Sequence, residues 1–583
     1  MAVGAPPRRV SDMRPVICDR RTAAGFGISI PALCVALLLL AAPASANLYW
    51  VGNNGNPPCT HATLQAAIDT ALGSAGFDLI YLVGPGPFNG PFIVIGNELE
   101  IVGNVGSCGS GVSVGQATVR AASGSRPLTI LSGGIGTVRL RHLMVTTNNG
   151  SLNGDGGGIW FAGASRSSRL ELFDTRVNAN TAFADGGGIF VSQGTLLLST
   201  GSQVGLNAAN RGGGVAAFNG AVVELHGASV LTNTALLDGG GIYAPDAQVL
   251  IDNLSTQTTT SVGSNLAGGD GGGLYLGGDH QDTIGGLAAA PAVVNSNQAQ
   301  RGAGAFIDQS SLHLMYAQLA FNAAWGDGGG VYLTGGGVLS SSVGAPTLGG
   351  FPRLERNSAG EGAAIYAADG AVVLSSGRIR DHQAGSSGAV TVAAAGAGTL
   401  LVLHGVVVES NAAPALFGID AGAELRLEHC TLTGNTVGGI VRRHDSDSNV
   451  SLVSTVLDET EPLFASFEAP ATPATPPTLS CVLSHYGSPF SSLPPGTDLS
   501  STSIADPQLV APPADVHLRY TSPAIDRCPA YAWYDLDGEP RSYDDPYHAN
   551  VFGTGDAGAD EASVLFVDGF ESGNLLRWSG AAQ

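Results

Sequence analysis

The sequence predicts an all-β chain wound as one long parallel β-solenoid, with a short capping helix before its first coils and an irregular cap after its last. Three observations predict it. A glycine phrase recurs through the middle of the chain at near-constant spacing. An Asn recurs eight or nine residues ahead of most copies. Short β-like runs, and no amphipathic helix, fill the intervals. Composition agrees, since 85 of 583 residues are glycine, about twice ordinary usage. Only 12% of residues are charged and 44% are hydrophobic, which excludes a highly charged disordered chain. The glycines have no three-residue period, which excludes collagen. Length alone allows about four ordinary domains. A repeat array replaces them with a single solenoid.

The chain begins with Arg8, Arg9, Arg14, Arg20 and Arg21, then an apolar run from Ile28 to Leu40, then Ala44-Ser45-Ala46. That order reads as a secretory signal peptide over residues 1–46, with Asn47 opening the mature chain. The same run also reads as an uncleaved membrane anchor, and Met13 is an alternative start. The expected location is secreted or at the cell surface. The formal charge is −22, from 25 basic residues, all Arg, and 47 acidic ones; removing five Arg and two Asp makes it 20 − 45 = −25. An acidic chain without basic clusters is a poor partner for nucleic acid or anionic lipid. No later run is long enough to span a bilayer.

Residues 47–110 read as a cap and first coils. Thr63–Ala71 has Leu64, Ile68 and Ala71 on one side of a short helix. Strand-like Leu79–Val83, a Gly/Pro turn at Gly84–Pro87 and Phe92–Ile95 follow. A solenoid must cover its open first coil, and this segment resembles the N-terminal cap of secreted β-helix proteins. Export permits disulfides. Cys59 and Cys108 flank the cap and form the first expected pair; Cys430 with Cys481 is the second considered, leaving Cys528 over. No close Cys/His spacing points to a metal.

Residues 111–460 carry the repeat. Its clearest copies are Asp155-Gly-Gly-Gly-Ile-Trp160, Asp185-Gly-Gly-Gly-Ile-Phe190, Asp238-Gly-Gly-Gly-Ile-Tyr243, Asp270-Gly-Gly-Gly-Leu-Tyr275 and Asp327-Gly-Gly-Gly-Val-Tyr332. Looser copies start at Arg211, Arg301 and Glu361. The aliphatic positions 159, 189, 215, 242, 274, 305, 331 and 365 lie 26 to 34 residues apart. They are expected to stack as an interior column. Glycine supplies corners with positive φ, and coils pair as parallel strands about 4.8 Å apart. Asn180, Asn207, Asn233, Asn265, Asn297, Asn322 and Asn357 recur ahead of the glycines. They read either as an internal amide ladder or as turn formers.

The Asn-preceded GG(A/G)(I/L/V) phrase resembles the repeat of polymorphic outer membrane proteins, and more broadly right-handed parallel β-helix proteins, from about Leu140 to Ile440. One departure matters: those surface proteins end in a membrane barrel, and the residues after the last coil here lack its serial alternating strands. Residues 461–564 are rich in Pro and Asp. Asp506-Pro507, Ser522–Asp526, Asp535–Arg541 and Asp556–Glu561 together resemble the choice-of-anchor Q domain that ends many secreted β-helix proteins. Asp535, Asp537 and Asp556 are candidate Ca²⁺ ligands, since clustered carboxylates suit that ion; Asp-Gly turns are the plainer reading. Residues 565–583 form a tail resembling a short DGFESG…WS ending of secreted bacterial proteins.

Two surface files follow from the repeat. The residue before the glycines runs Asp155, Asp185, Arg211, Asp238, Asp270, Arg301, Asp327, Glu361, a cation-binding edge or a charge-balanced turn. The residue after the aliphatic runs Trp160, Phe190, Tyr243, Tyr275, Phe306, Tyr332, Tyr366. These rings point outward if the flanking aliphatics point in, as a ligand-binding row or as structural packing. A polysaccharide lyase needs a proton-abstracting base and a cation for the uronate. The chain has no Lys and scattered Arg, and His142, His226, His313, His404 and His429 are dispersed. The function expected is therefore a non-catalytic, secreted or surface bacterial β-helix protein, with no catalytic residue assigned and no cofactor beyond the Ca²⁺ reading. Its expected partners are polysaccharide or cell-envelope components. A polysaccharide lyase or glycoside hydrolase, and a purely structural envelope protein, are the alternatives.

Overall fold

The computed structural model describes residues 46–561, except 53–58, 75, 97, 135, 149, 288, 343–350, 386–389, 421, 444–447, 466–474, 492, 530–534, 537–540, 542–543 and 546–547. The expected signal peptide, the C-terminal tail and Asp537 lie outside the described residues.

The described residues wind into a parallel β-helix of the right-handed type with about 15 turns, and only 3% of them are helical. A full turn in the middle carries four short strands. One belongs to a 13-stranded sheet running from Phe92–Ile95 to Val441–Arg443, which receives every glycine phrase. Two consecutive legs belong to a 30-stranded sheet and merge into single long strands at Ala371–Arg380 and Leu400–Glu409. The fourth is a two-residue strand of a narrow 9-stranded sheet, from Ser151–Leu152 to Gln383–Ala384.

The interior column forms as the repeat requires. Ile159, Ile189, Val215, Ile242, Leu274, Ala305, Val331 and Ile365 pair in unbroken register, and each is fully buried. The glycines of a phrase divide their work. Only the first turns left-handed, as Gly239 does at φ +65°, where a Cβ would meet the Tyr243 Cβ at 2.6 Å. The second and third lie close under the next coil; a Cβ on Gly240 would sit 2.5 Å from the Gly272 carbonyl. The opposite corner uses no glycine in the central coils. Ala179, Leu206, Thr232, Ser264, Ser296, Phe321, Arg356, Asp381 and Ser410 hold φ between 53° and 59°, each at a cost of about 1–2 kcal/mol.

Helix α1 (Leu64–Leu72) starts at Thr63, whose hydroxyl accepts the Ala66 N–H, and ends at Gly73. It buries Leu64, Ala67, Ile68 and Ala71 against the first strands, Asn47–Val51, Asp78–Val83 and Phe92–Ile95. Phe464, Phe490 and Leu493 pack on the core near its other end. The following residues then lie back along the flank of the last coils. Gly558 donates to the Ser454 carbonyl at 2.8 Å and Ala559 to the Thr431 hydroxyl at 2.9 Å. Ala559, Val516 and Leu536 share a cluster with Val407 and Phe351.

Cys59 and Cys108 are bonded across the cap. Cys481 pairs with Cys528, not with Cys430. The reason is direction. Cys481 occupies a left-handed corner at φ 54° and meets the folded-back segment, whereas Cys430 points into the core. There burial pushes its thiol up to about 12, and its Sγ–H donates to the Leu403 carbonyl.

Candidate functional site

Four groups of side chains invite a functional reading, the Asn file, the acidic file, the aromatic file and the C-terminal carboxylates, and the fold ties up all four. The Asn residues form a ladder: Asn180, Asn207, Asn233, Asn265, Asn297, Asn322 and Asn357 are at most 1% exposed. From Asn180 to Asn322, each Nδ2–H donates to the next Oδ1 at 3.0 Å. The same oxygen also accepts the backbone N–H of the donor residue. Removing one rung would orphan several buried groups, at roughly 1–3 kcal/mol for each unsatisfied group. The next rung is His382. Its Nδ1 accepts the Asn357 N–H at 3.1 Å, so Nε2 carries the proton and donates to the Leu354 carbonyl at 2.9 Å. Burial pushes this ring down to about 4, keeping it neutral. Asn411 and Asn435 resume the ladder, and it ends on Glu459, which accepts from the Asn435 amide at 2.6 Å.

The acidic file is a chain of pairs. Arg211 clamps Asp185 at 3.0 and 2.8 Å, and Arg301 clamps Asp270 at 2.9 and 2.7 Å. Asp155 accepts the Asp185 N–H and Asp238 the Asp270 N–H. Burial pushes the Asp238 and Asp327 carboxyls above the usual range. Two residues that the sequence pattern did not single out finish the file. Arg126 donates to the Gly156 and Asp155 carbonyls. Arg442 pairs with Glu361 at 3.2 Å from strand Val441–Arg443. It stands in the outward position of the aromatic file, beyond Ala393 and Gly418.

The aromatic file faces outward, as the buried Ile189 and Val191 either side of Phe190 require. Its rings cover one another. Centroids lie 4.9–5.1 Å apart from Tyr243 through Tyr275, Phe306 and Tyr332 to Tyr366. Phe306 and Tyr332 are nearly parallel, with 4° between their ring planes. Where Ala216 leaves the position small, Phe218 fills the gap between Phe190 and Tyr243. Trp160 stacks on Phe190 and carries Arg126 5.8 Å from its centroid. Arg301 lies over Tyr332 and Phe306. Tyr243, Phe306 and Tyr332 are buried and the other four half-buried. The row is therefore packing: its faces, which a sugar ring would need, touch neighbouring rings.

At the C-terminal flank, Asp535 and Asp556 are buried. Asp535 accepts the Glu561 N–H at 3.1 Å and Asp556 the Asp526 N–H at 2.8 Å. The cation among them is the fully buried Arg541, which donates to the Gly558 and Ala559 carbonyls. Burial beside Asp556 holds the Glu561 carboxyl well above its usual range. These carboxylates tie backbone N–H groups around a guanidinium rather than forming an open oxygen cage. Among the described residues no group of three or more His, Cys, Asp or Glu is arranged to hold a metal.

The dispersed histidines stay dispersed, apart from His404 and His429, which meet edge to face 5.7 Å apart beside Arg541. A shallow concavity of about 360 Å³ is lined by Glu424, Arg426 and Glu428 among others. The two carboxylates stand four residues apart on one strand, about 13 Å by strand rise, wider than glycosidase pairs require. Arg426 binds Glu424 and His404 faces Glu428 at 3.4 Å. No helix among the described residues is long and apolar enough to cross a membrane. No protein-family model and no curated protein matches the chain.

Proposed function

We propose that this chain is an exported, non-catalytic β-helix protein whose long flank serves as a binding surface for polysaccharide or other cell-envelope components. The supporting observation is the disposition of reactive groups. Carboxylates, guanidinium groups and rings run as files along the coils and bind one another, coil after coil. Catalysis needs such groups converged on one reacting atom with their hydrogen-bonding capacity unspent. The resemblances to polymorphic outer membrane protein repeats and to the choice-of-anchor Q region, with the signal-like residues 1–46, support a place at the cell surface. The test is a polysaccharide panel assayed at once for retained protein and for released reducing ends or unsaturated uronates. Retention without product is the expected result. Turnover that disappears on changing one carboxylate or Arg would replace this reading with a lyase or hydrolase.

A further inference from the structure

A further feature of the surface is a face without charge. The narrow sheet and the turns on either side of it put three positions of each coil outward: the corner residue before the ladder Asn, the strand residue after it and the one two further on. Over six consecutive coils, from Ala179 to Trp325, none of these positions is charged, on a molecule of net charge −22. Six of the large apolar side chains exposed on this molecule stand on or beside this face: Phe183, Leu206, Leu236, Leu237, Phe321 and Trp325. Thr234, Gln298 and Gln300, also exposed, put hydroxyl and amide groups between them. Charge returns at the next coil with Arg356, which lies over Phe321 at 5.4 Å. The acidic file runs along one border, Asp238 following directly on Leu237.

We infer that this face binds a linear uncharged polysaccharide laid along the solenoid axis, an assignment that rests on the surface-binding reading above and gives it a place and a ligand class. Size selects the occupant. Five coil spacings by four strand residues give about 24 by 13 Å, roughly 300 Å². A second copy of the chain would need about 800 Å² per partner, whereas a single glycan strand is narrow and long. Peptide strand addition is closed here, because the face's backbone groups pair with the coils above and below. Chemistry selects the class. The apolar C–H face of a pyranose stacks on an exposed ring, and Phe183 and Trp325, 60% and 57% exposed, stand near the two ends. The hydroxyls between them meet Thr234, Gln298 and Gln300. A uronate chain would lie against the bordering carboxylates.

The experiment is calorimetric titration of the full chain with cellohexaose, chitohexaose and hexagalacturonate. A neutral hexasaccharide binds, hexagalacturonate does not, and the Phe183→Ala, Trp325→Ala double variant loses tenfold or more in affinity with an unchanged melting temperature. Tyr486→Ala, exposed elsewhere, leaves affinity intact. Unchanged affinity in the double variant would overturn the site while sparing the broader surface reading. Preference for hexagalacturonate would overturn the ligand class. Failure of every hexasaccharide to bind would overturn site and class together, and the panel assay would then decide the broader reading on its own.

Discussion

Glu459 closes the Asn ladder with a group that titrates. It is 2% exposed, and burial pushes its carboxyl from 4.5 up to about 7, against the Asn435 hydrogen bonds that pull it down. The folded state therefore holds this proton more tightly than the unfolded chain. The resulting stability is fully present below about pH 4.5 and is lost as the pH rises through about 7. Glu459→Gln keeps the acceptor and removes the titration. Denaturant melts should show it equal to the parent at pH 4 and more stable at pH 8, by up to about 3 kcal/mol; equal stability at both would contradict the assigned role. His382 runs the other way, its contribution being present above about 6.5 and lost as the pH falls to about 4. The Asn positions were legible as a repeat, with ladder and turn readings undecided. A ladder requires each amide to sit above the last, which register decides and sequence spacing does not. The silent rung at His382 leaves a trace in the double interval between Asn357 and Asn411.

At the scale of the coil, glycine position matters more than glycine number. Gly239 must be glycine for two reasons, its φ of +65° and the Tyr243 Cβ that a methyl group would meet at 2.6 Å. Gly398 has a similar φ of +78° but nothing within 4 Å of where a methyl group would stand, so only the backbone penalty applies there. Gly239→Ala should therefore cost well over about 2 kcal/mol, and Gly398→Ala only about 1. Equal losses in thermal melts would mean that packing beneath the phrase is looser than described. The glycine corner and the aliphatic column were readable because they recur in composition. The second corner was not, because Ala179, Leu206, Thr232 and Phe321 share no side-chain pattern, only a left-handed backbone ahead of the Asn rung. The outward direction of the aromatics was readable from their aliphatic neighbours. That their faces are occupied was not, because stacking depends on the rings of adjacent coils.

Across the whole molecule, charge is sorted by face. The 13-stranded sheet wears rings and its acidic corner wears Asp–Arg pairs. The two-leg sheet carries networks such as Arg139–Glu171–Arg169–Glu224 and Glu355–Arg380. The narrow sheet stays uncharged for six coils. A solenoid makes such sorting inexpensive, because one position per repeat becomes one stripe on the surface. Fold class and the N-terminal helix were visible in the sequence, since both rest on periodicity. The face inferred to bind glycan was not, because it is defined by what a stripe lacks, and a missing charge acquires meaning only when coils are stacked. If charged files maintain the fold and the uncharged face meets the ligand, glycan affinity should be indifferent to salt. Salt dependence separates the two roles most directly, because ionic contacts weaken as the screening length falls from about 10 Å at 0.1 M to about 3 Å at 1 M. One dissociation constant across that range is the predicted result. An affinity that falls severalfold with salt would place the ligand on the charged files and contradict this division of labour.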